Sequence, residues 1–244
     1  MAEWLDRGDG VRLAFERREG SGPTLVFLPG YRSDMTGGKA LALDAHCAST
    51  GRAMLRLDYS GHGQSQGKFE DGTIGRWTDD AACLIERLVS GELVLVGSSM
   101  GGWIALLLAQ RIPRVAGLAL VAPAPDFSEE LIWGGLDPAQ RHAVMEQGGV
   151  ELSNPYGDPY LVTRGFIEDG RRHLVMGDEI AIECPIRLLH GQADASVPWQ
   201  TSLRIAGLVR SSDVQITLVK DGDHRLSRAQ DIALLLNFFG QNGL

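Results

Sequence analysis

Residues 93–101 read Leu-Val-Leu-Val-Gly-Ser-Ser-Met-Gly, and Trp103-Ile104-Ala105-Leu106-Leu107-Leu108-Ala109 follows. The first apolar run reads as a buried strand and the second as a helix, so a tight turn between them holds a serine at its apex. Such an elbow forces its central residue into strained backbone angles, and the positions two before and two after must be nearly free of side chain. Register selects Ser99. Gly97 and Gly101 stand at the required offsets, whereas Ser98 would need glycine where Val96 and Met100 are. With 31 glycines in the chain the pentapeptide alone arises readily by chance; the strand and helix on its two sides give it meaning.

The flanking sequence repeats this pattern. Val11–Glu16 alternates apolar with polar, as a half-exposed edge strand does, while Thr24–Leu28 is continuously apolar, as a strand covered on both faces must be. Ala53–Leu57, Leu93–Val96, Val115–Val121, Ile186–Leu189 and Val214–Val219 are further runs rich in Val, Ile and Leu. Helical patterns lie between most of them: Leu41–Ala48, Arg76–Leu88, Trp103–Gln110, Trp199–Val209 and Ala229–Phe239. Alternating strands and helices predict an α/β fold with an eight-stranded, mainly parallel sheet and helices on both faces. At 244 residues and 44% hydrophobic content the chain can bury one substantial core, and residues 1–244 are read as one domain.

One interval breaks the alternation. From about residue 124 to 180 the chain carries Pro, Gly and acidic residues with only short amphipathic pieces, which predicts a short cap inserted after the sixth strand. That interval holds 11 Asp or Glu against 4 Arg, a net of −7, nearly all of the chain's −8. Most of these acids are expected on a solvated helical surface. Any facing the entrance would repel anionic substrates.

The charge balance removes whole classes of partner. With 23 basic residues against 31 acidic ones there is no footprint for nucleic acid or an anionic membrane, and the expected partner is a small molecule or another protein. Met1–Arg7 lacks the basic start and apolar stretch of a secretory signal, and Leu93–Arg111 is broken by glycines, so neither export nor a membrane span is expected. Cys47, Cys83 and Cys184 are odd in number and far apart, without metal-ligand spacing; they read as reduced thiols of a cytoplasmic protein.

A serine hydroxyl is a poor nucleophile at neutral pH. It needs an imidazole to take its proton and a carboxylate to hold that imidazole in the right tautomer. Asp194 lies in the loop just past the strand Ile186–Leu189, and His224 follows the last strand soon after Val219. Asp126, after the sixth strand, is the rival acid; Asp221 and Asp223 are too near His224 in sequence and suit a turn. Of the other histidines, His46, His142 and His173 fall in helical or cap segments, His190 at a strand end where it bonds locally, and His62 in a Gly-rich turn. The tetrahedral intermediate needs two preorganised amides. Met100 opens the helix after Ser99, and Tyr31, in Leu28-Pro29-Gly30-Tyr31-Arg32, belongs to the loop expected beside the elbow. The apolar cap residues Phe127, Leu131, Ile132, Trp133 and Phe166 are expected either to contact substrate or to glue the cap to the body, and Arg32 to reach substrate.

Gly97–Trp103, Pro29–Met35, Asp58–Gly61, Cys184–Gly191, Val197–Gln200 and Asp223–Arg225 together resemble the α/β-hydrolase superfamily, and within it a branch of palmitoyl-protein thioesterases with bacterial relatives. The resemblance covers almost the whole chain and is weakest in the cap. It implies serine-dependent hydrolysis of acyl thioesters or carboxylic esters, on small molecules or acylated protein, with Ser99, Asp194 and His224 in the catalytic positions. No metal or organic cofactor is required by that chemistry. Two other readings stay open at this level: an acyltransferase on the same acyl-serine, and a non-catalytic ligand-binding protein of the same fold.

Overall fold

The computed structural model describes residues 1–154, 157–240 and 244. In chain order the strands are β1 (Glu3–Asp6), β2 (Arg12–Arg18), β3 (Ser21–Leu28), β4 (Arg52–Leu57), β5 (Leu93–Ser98), β6 (Val115–Val121), β7 (Gly149–Asn154), β8 (Gly157–Thr163), β9 (Ile186–Gly191) and β10 (Val214–Val219). Eight of them form one sheet in the order β1-β2-β4-β3-β5-β6-β9-β10. β1 pairs antiparallel with β2, and β2 with β4; every pairing from β4 to β10 is parallel. The expected architecture is therefore the observed one.

The apolar runs form central strands because alternate residues feed two separate cores. Leu25, Phe27, Val94, Val96, Ala119, Val121 and Leu189 face helices α1 (Gly38–Thr50) and α7 (Ala229–Asn237). Val26, Leu28, Leu93, Leu95, Leu118, Leu120 and Leu188 face the other way, onto α2 (Ile74–Leu88), α3 (Met100–Arg111) and the cap. Helix starts follow local chemistry: the Thr73 hydroxyl accepts the Arg76 amide at the head of α2. β1 was not visible in the sequence, since Glu3, Trp4 and Asp6 are exposed and supply no apolar alternation.

The chain leaves the sheet after β6 and returns at β9, as the broken alternation predicts. The cap contains a π-helical turn over Ser128–Trp133, α4 (Pro138–Gln147) with an Asp137/Gln140 capping box, the β7–β8 hairpin, and α5 (Arg164–Arg172). The hairpin was not expected. Its signal is the period-two placement of Val150 and Leu152 opposite Val162 and Tyr160, too short to stand out among the glycines and acids around it. Beyond the cap and β9, α6 (Gln200–Leu208) precedes β10.

Candidate functional site

Parallel strands point their C-terminal ends at one rim, and the loops there carry the unusual backbone. Arg32, Ser99, Ala122, Asp126 and Leu226 are the non-glycine residues with positive φ among the described ones; they follow β3, β5, β6 and β10. Clustered strain of this kind marks functional loops. Ser99, at φ 54° and ψ −118°, is the most telling. A Cβ built at Gly97 would lie 2.4 Å from the Gly101 carbonyl oxygen, and one at Gly101 only 2.0 Å from that of Leu28. The two glycines are thus required by contact as well as by curvature, because β5, α3 and the β3 loop touch backbone to backbone.

Three side chains from three loops meet here. His224 Nε2 lies 3.1 Å from Ser99 Oγ, and His224 Nδ1 lies 2.7 Å from Asp194 Oδ2. Nδ1 faces a carboxylate and so carries the proton, which leaves Nε2 free to accept from the serine hydroxyl. The other carboxylate oxygen of Asp194 accepts the Ser196 and Val197 amides, at 2.8 and 2.9 Å. Burial pushes the Asp194 carboxyl up, but hydrogen bonds from His190 and His224, the His224 charge and the Val197 amide outweigh it and hold the group well below the usual carboxylate range. Asp126 is not part of this group. Its carboxylate accepts the Val175 and Met176 amides across the cap, and burial raises its affinity for a proton.

Met100 directly follows Ser99 at the head of α3, where the helix dipole favours negative charge. The β3 loop flanks the serine from the other side: a Cβ at Gly30 would be 3.3 Å from Ser99 Cβ. Tyr31 and Met100 therefore stand on the two sides of Ser99. Sequence reasoning missed what holds that loop. Asp58, fully buried, accepts the Met35 amide at 2.7 Å and the Gln64 amide at 2.8 Å, and the Arg32 amide donates to His62 Nε2 at 3.3 Å. Burial drives His62 down to about 4, so its ring is neutral and able to accept. An acid at a strand end inside a Gly-rich turn is the local signal for such a clamp.

The expected substrate contacts divide. Phe127 and Phe166 are buried, 8% and 3% exposed, with ring centroids 5.5 and 5.6 Å from Tyr31. They join cap to body. Phe69, Trp77 and Tyr160 complete the ring around Tyr31, and such pairs contribute ~0.5–1.5 kcal/mol each beyond their buried area. Trp133 stays on the cap, beneath the guanidinium groups of Arg171 and Arg141. Arg32 lines a cavity of about 240 Å³ with His62, Phe69, Glu70 and Tyr160. A second, of about 280 Å³, lies between Leu131 of the cap and Val197 and Pro198 of the Asp194 loop, under a Glu130–Arg204 ion pair. Among the described residues no His, Cys, Asp and Glu group is arranged to hold a metal, and no helix is long and apolar enough to cross a membrane.

The family model described as serine aminopeptidase, S33, matches residues 23–147, the half of the chain that holds the elbow and the β3 loop. The chain is 39% identical to the human mitochondrial palmitoyl-protein thioesterase ABHD10 over 242 residues, covering 96% of this chain and 77% of that one. The chain belongs to the α/β-hydrolase family. Within it, the solved structure of mouse α/β-hydrolase domain-containing protein 10 superimposes with a TM-score of 0.91 at 36% identity, covering 98% of this chain and 96% of the mouse one. Est1E from Butyrivibrio proteoclasticus, at 20% identity and a TM-score of 0.79, shares the fold. This α/β-hydrolase is a serine hydrolase.

Proposed function

We propose that this serine hydrolase cleaves carboxylic esters and acyl thioesters, acylated protein thiols included, through an acyl-Ser99 intermediate. The observation that carries the reading is the unbroken relay from Ser99 Oγ to His224 Nε2, 3.1 Å, and from His224 Nδ1 to Asp194, 2.7 Å. Ser99 Oγ attacks the acyl carbonyl as Nε2 takes its proton; the imidazolium then delivers that proton to the departing thiolate or alkoxide. Asp194 keeps the ring oriented and stabilises its charge. Water, deprotonated by the same nitrogen, releases the acid and restores the serine. The amides of Met100 and Tyr31 stabilise the oxyanion in both halves, which no metal or organic cofactor is needed to do. Arg32 contacts substrate from its cavity, while Phe127, Trp133 and Phe166 shape the cap over residues 124–180 of a single domain. The thioester part of the reading leans on the printed name of the ABHD10 relatives. Cys47, Cys83 and Cys184 are free thiols, which suits the cytoplasm, and subcellular fractionation of the native host decides between it and an organelle.

The deciding experiment is Ser99→Ala. We expect turnover of p-nitrophenyl butyrate and of an acyl-cysteine thioester to fall by roughly 10⁴ to 10⁶ with the melting transition kept. Retained hydrolysis overturns the assignment.

A further inference from the structure

His190, at the end of β9, is fully buried and takes no step in the chemistry above. It is nevertheless one contact from it. Its Nε2 lies 3.2 Å from Asp194 Oδ2 and 3.2 Å from the Val197 carbonyl, and its Nδ1 lies 2.8 Å from Ser202 Oγ in α6. Nε2 faces acceptors alone, so it carries a proton. Nδ1 faces a hydroxyl able to donate, so one proton on the ring satisfies every partner. The oxygen of Asp194 that receives His224 thus receives a second imidazole as well.

We propose that His190 is a positioning residue for the reaction: held by Ser202, it donates through Nε2 to Asp194 Oδ2, fixes that oxygen toward His224, and limits how tightly the carboxylate binds a protonated base. Two physical consequences follow. A shared oxygen is confined to one place, because the Ser196 and Val197 amides already hold its twin. A donor on Oδ2 also withdraws negative charge from the bond to His224, so the base gives up its proton at lower pH than it would against an unshared carboxylate.

The surroundings are simple enough to read the effect. Among the described residues, the titratable groups touching the Asp194 carboxylate are His190 and His224; the rest of its side-chain contacts are amides. Beside His224, the Lys39 ammonium from α1 donates to the Arg225 carbonyl, and the Asp223 carboxylate accepts the Leu226 amide. Neither contact involves His190 or Ser202.

This inference rests on the serine-hydrolase reading, and its test separates the two. The readouts are the pH dependence of fluorophosphonate labelling of Ser99 and of kcat and KM for p-nitrophenyl butyrate. They are compared in wild type, His190→Leu, His190→Gln and Ser202→Ala, each checked by thermal melting. We expect His190→Leu to slow labelling and kcat by about 10- to 100-fold, leave KM unchanged, and move the acidic limb of kcat/KM to higher pH. His190→Gln, whose amide reaches the Nε2 position, restores much of both; Ser202→Ala moves the limb the same way by less. A slow His190→Leu enzyme with an unmoved limb and no rescue by glutamine is a packing defect and overturns the proposal, as do wild-type profiles in both His190→Leu and Ser202→Ala. If His190→Leu does not fold, Ser202→Ala decides alone: an unmoved limb refutes, a shifted one supports. An unlabelled wild type overturns the serine-hydrolase reading and this inference with it.

Discussion

The loops leaving β6 and β9 each bring a buried aspartate to the same rim of the sheet, and each carboxylate accepts two backbone amides. There the likeness ends. Asp194 accepts amides of its own loop on one oxygen and presents the other to two imidazoles. Asp126 spends both oxygens on Val175 and Met176, across the cap. Position at a strand end therefore does not make a carboxylate catalytic; what decides is whether an oxygen is left over for a ring nitrogen. One aspartate serves the proposed chemistry, the other fastens the lid segment.

That contrast breaks most sharply at turnover. Asp194→Asn is expected to lower kcat by roughly 10⁴, because the amide stabilises the wrong tautomer of His224, whereas Asp126→Asn leaves kcat near wild type. Steady-state hydrolysis of p-nitrophenyl butyrate by the two variants measures this, and equal losses would mean the acid has been misassigned. Asp126 is expected to act on stability instead. Asp126→Ala strands the buried Met176 amide and the half-buried Val175 amide and should cost about 1–3 kcal/mol in urea unfolding; an unchanged midpoint would show that the cap is held by its aromatic ring alone.

The smallest effect is in pH, and its sign separates the pair. Asp194 holds its proton more weakly folded than unfolded, so it contributes stability above the unfolded carboxylate value of about 4 that is lost as pH falls below it. Asp126 is shifted the other way by burial, so its ionised form weakens the fold. Wild type should therefore gain stability relative to Asp126→Asn as pH falls from its raised folded value toward about 4, and lose it relative to Asp194→Asn below that. Urea midpoints between neutral and acidic pH give both slopes.

The same contrast explains how much was legible in the sequence. The central strands and α1, α2, α3, α6 and α7 were readable because apolar period and length are local properties. Ser99, Asp194 and His224 were readable as candidates because each sits in a short pattern at a strand end: an elbow with two glycines, a loop after Leu189, a turn after Val219. Asp58, His62 and His190 were not readable in their supporting roles. Asp58 grips the amide of Met35, 23 residues away, and His62 that of Arg32, 30 away; the acid in its Gly-rich turn marks a clamp, but local spacing does not name such distant partners. The cap aromatics left two roles open for a related reason. Composition allowed Phe127 and Phe166 either to meet substrate or to glue the cap to the body, and only the fold shows that their rings pack on Tyr31.

Consider finally where the imidazole hangs. His224 follows β10, an edge strand that pairs with β9 alone and has no fully buried residue, with Gln215 and Leu218 exposed. A margin tied along one side frays at a lower free-energy cost than the middle of the sheet. Serine and carboxylate, on β5 and β9, would stay in register while the base drifted off. In a denaturant titration, hydrolysis should then vanish at a lower concentration than the far-ultraviolet dichroism, the molecule becoming inert while still almost wholly folded.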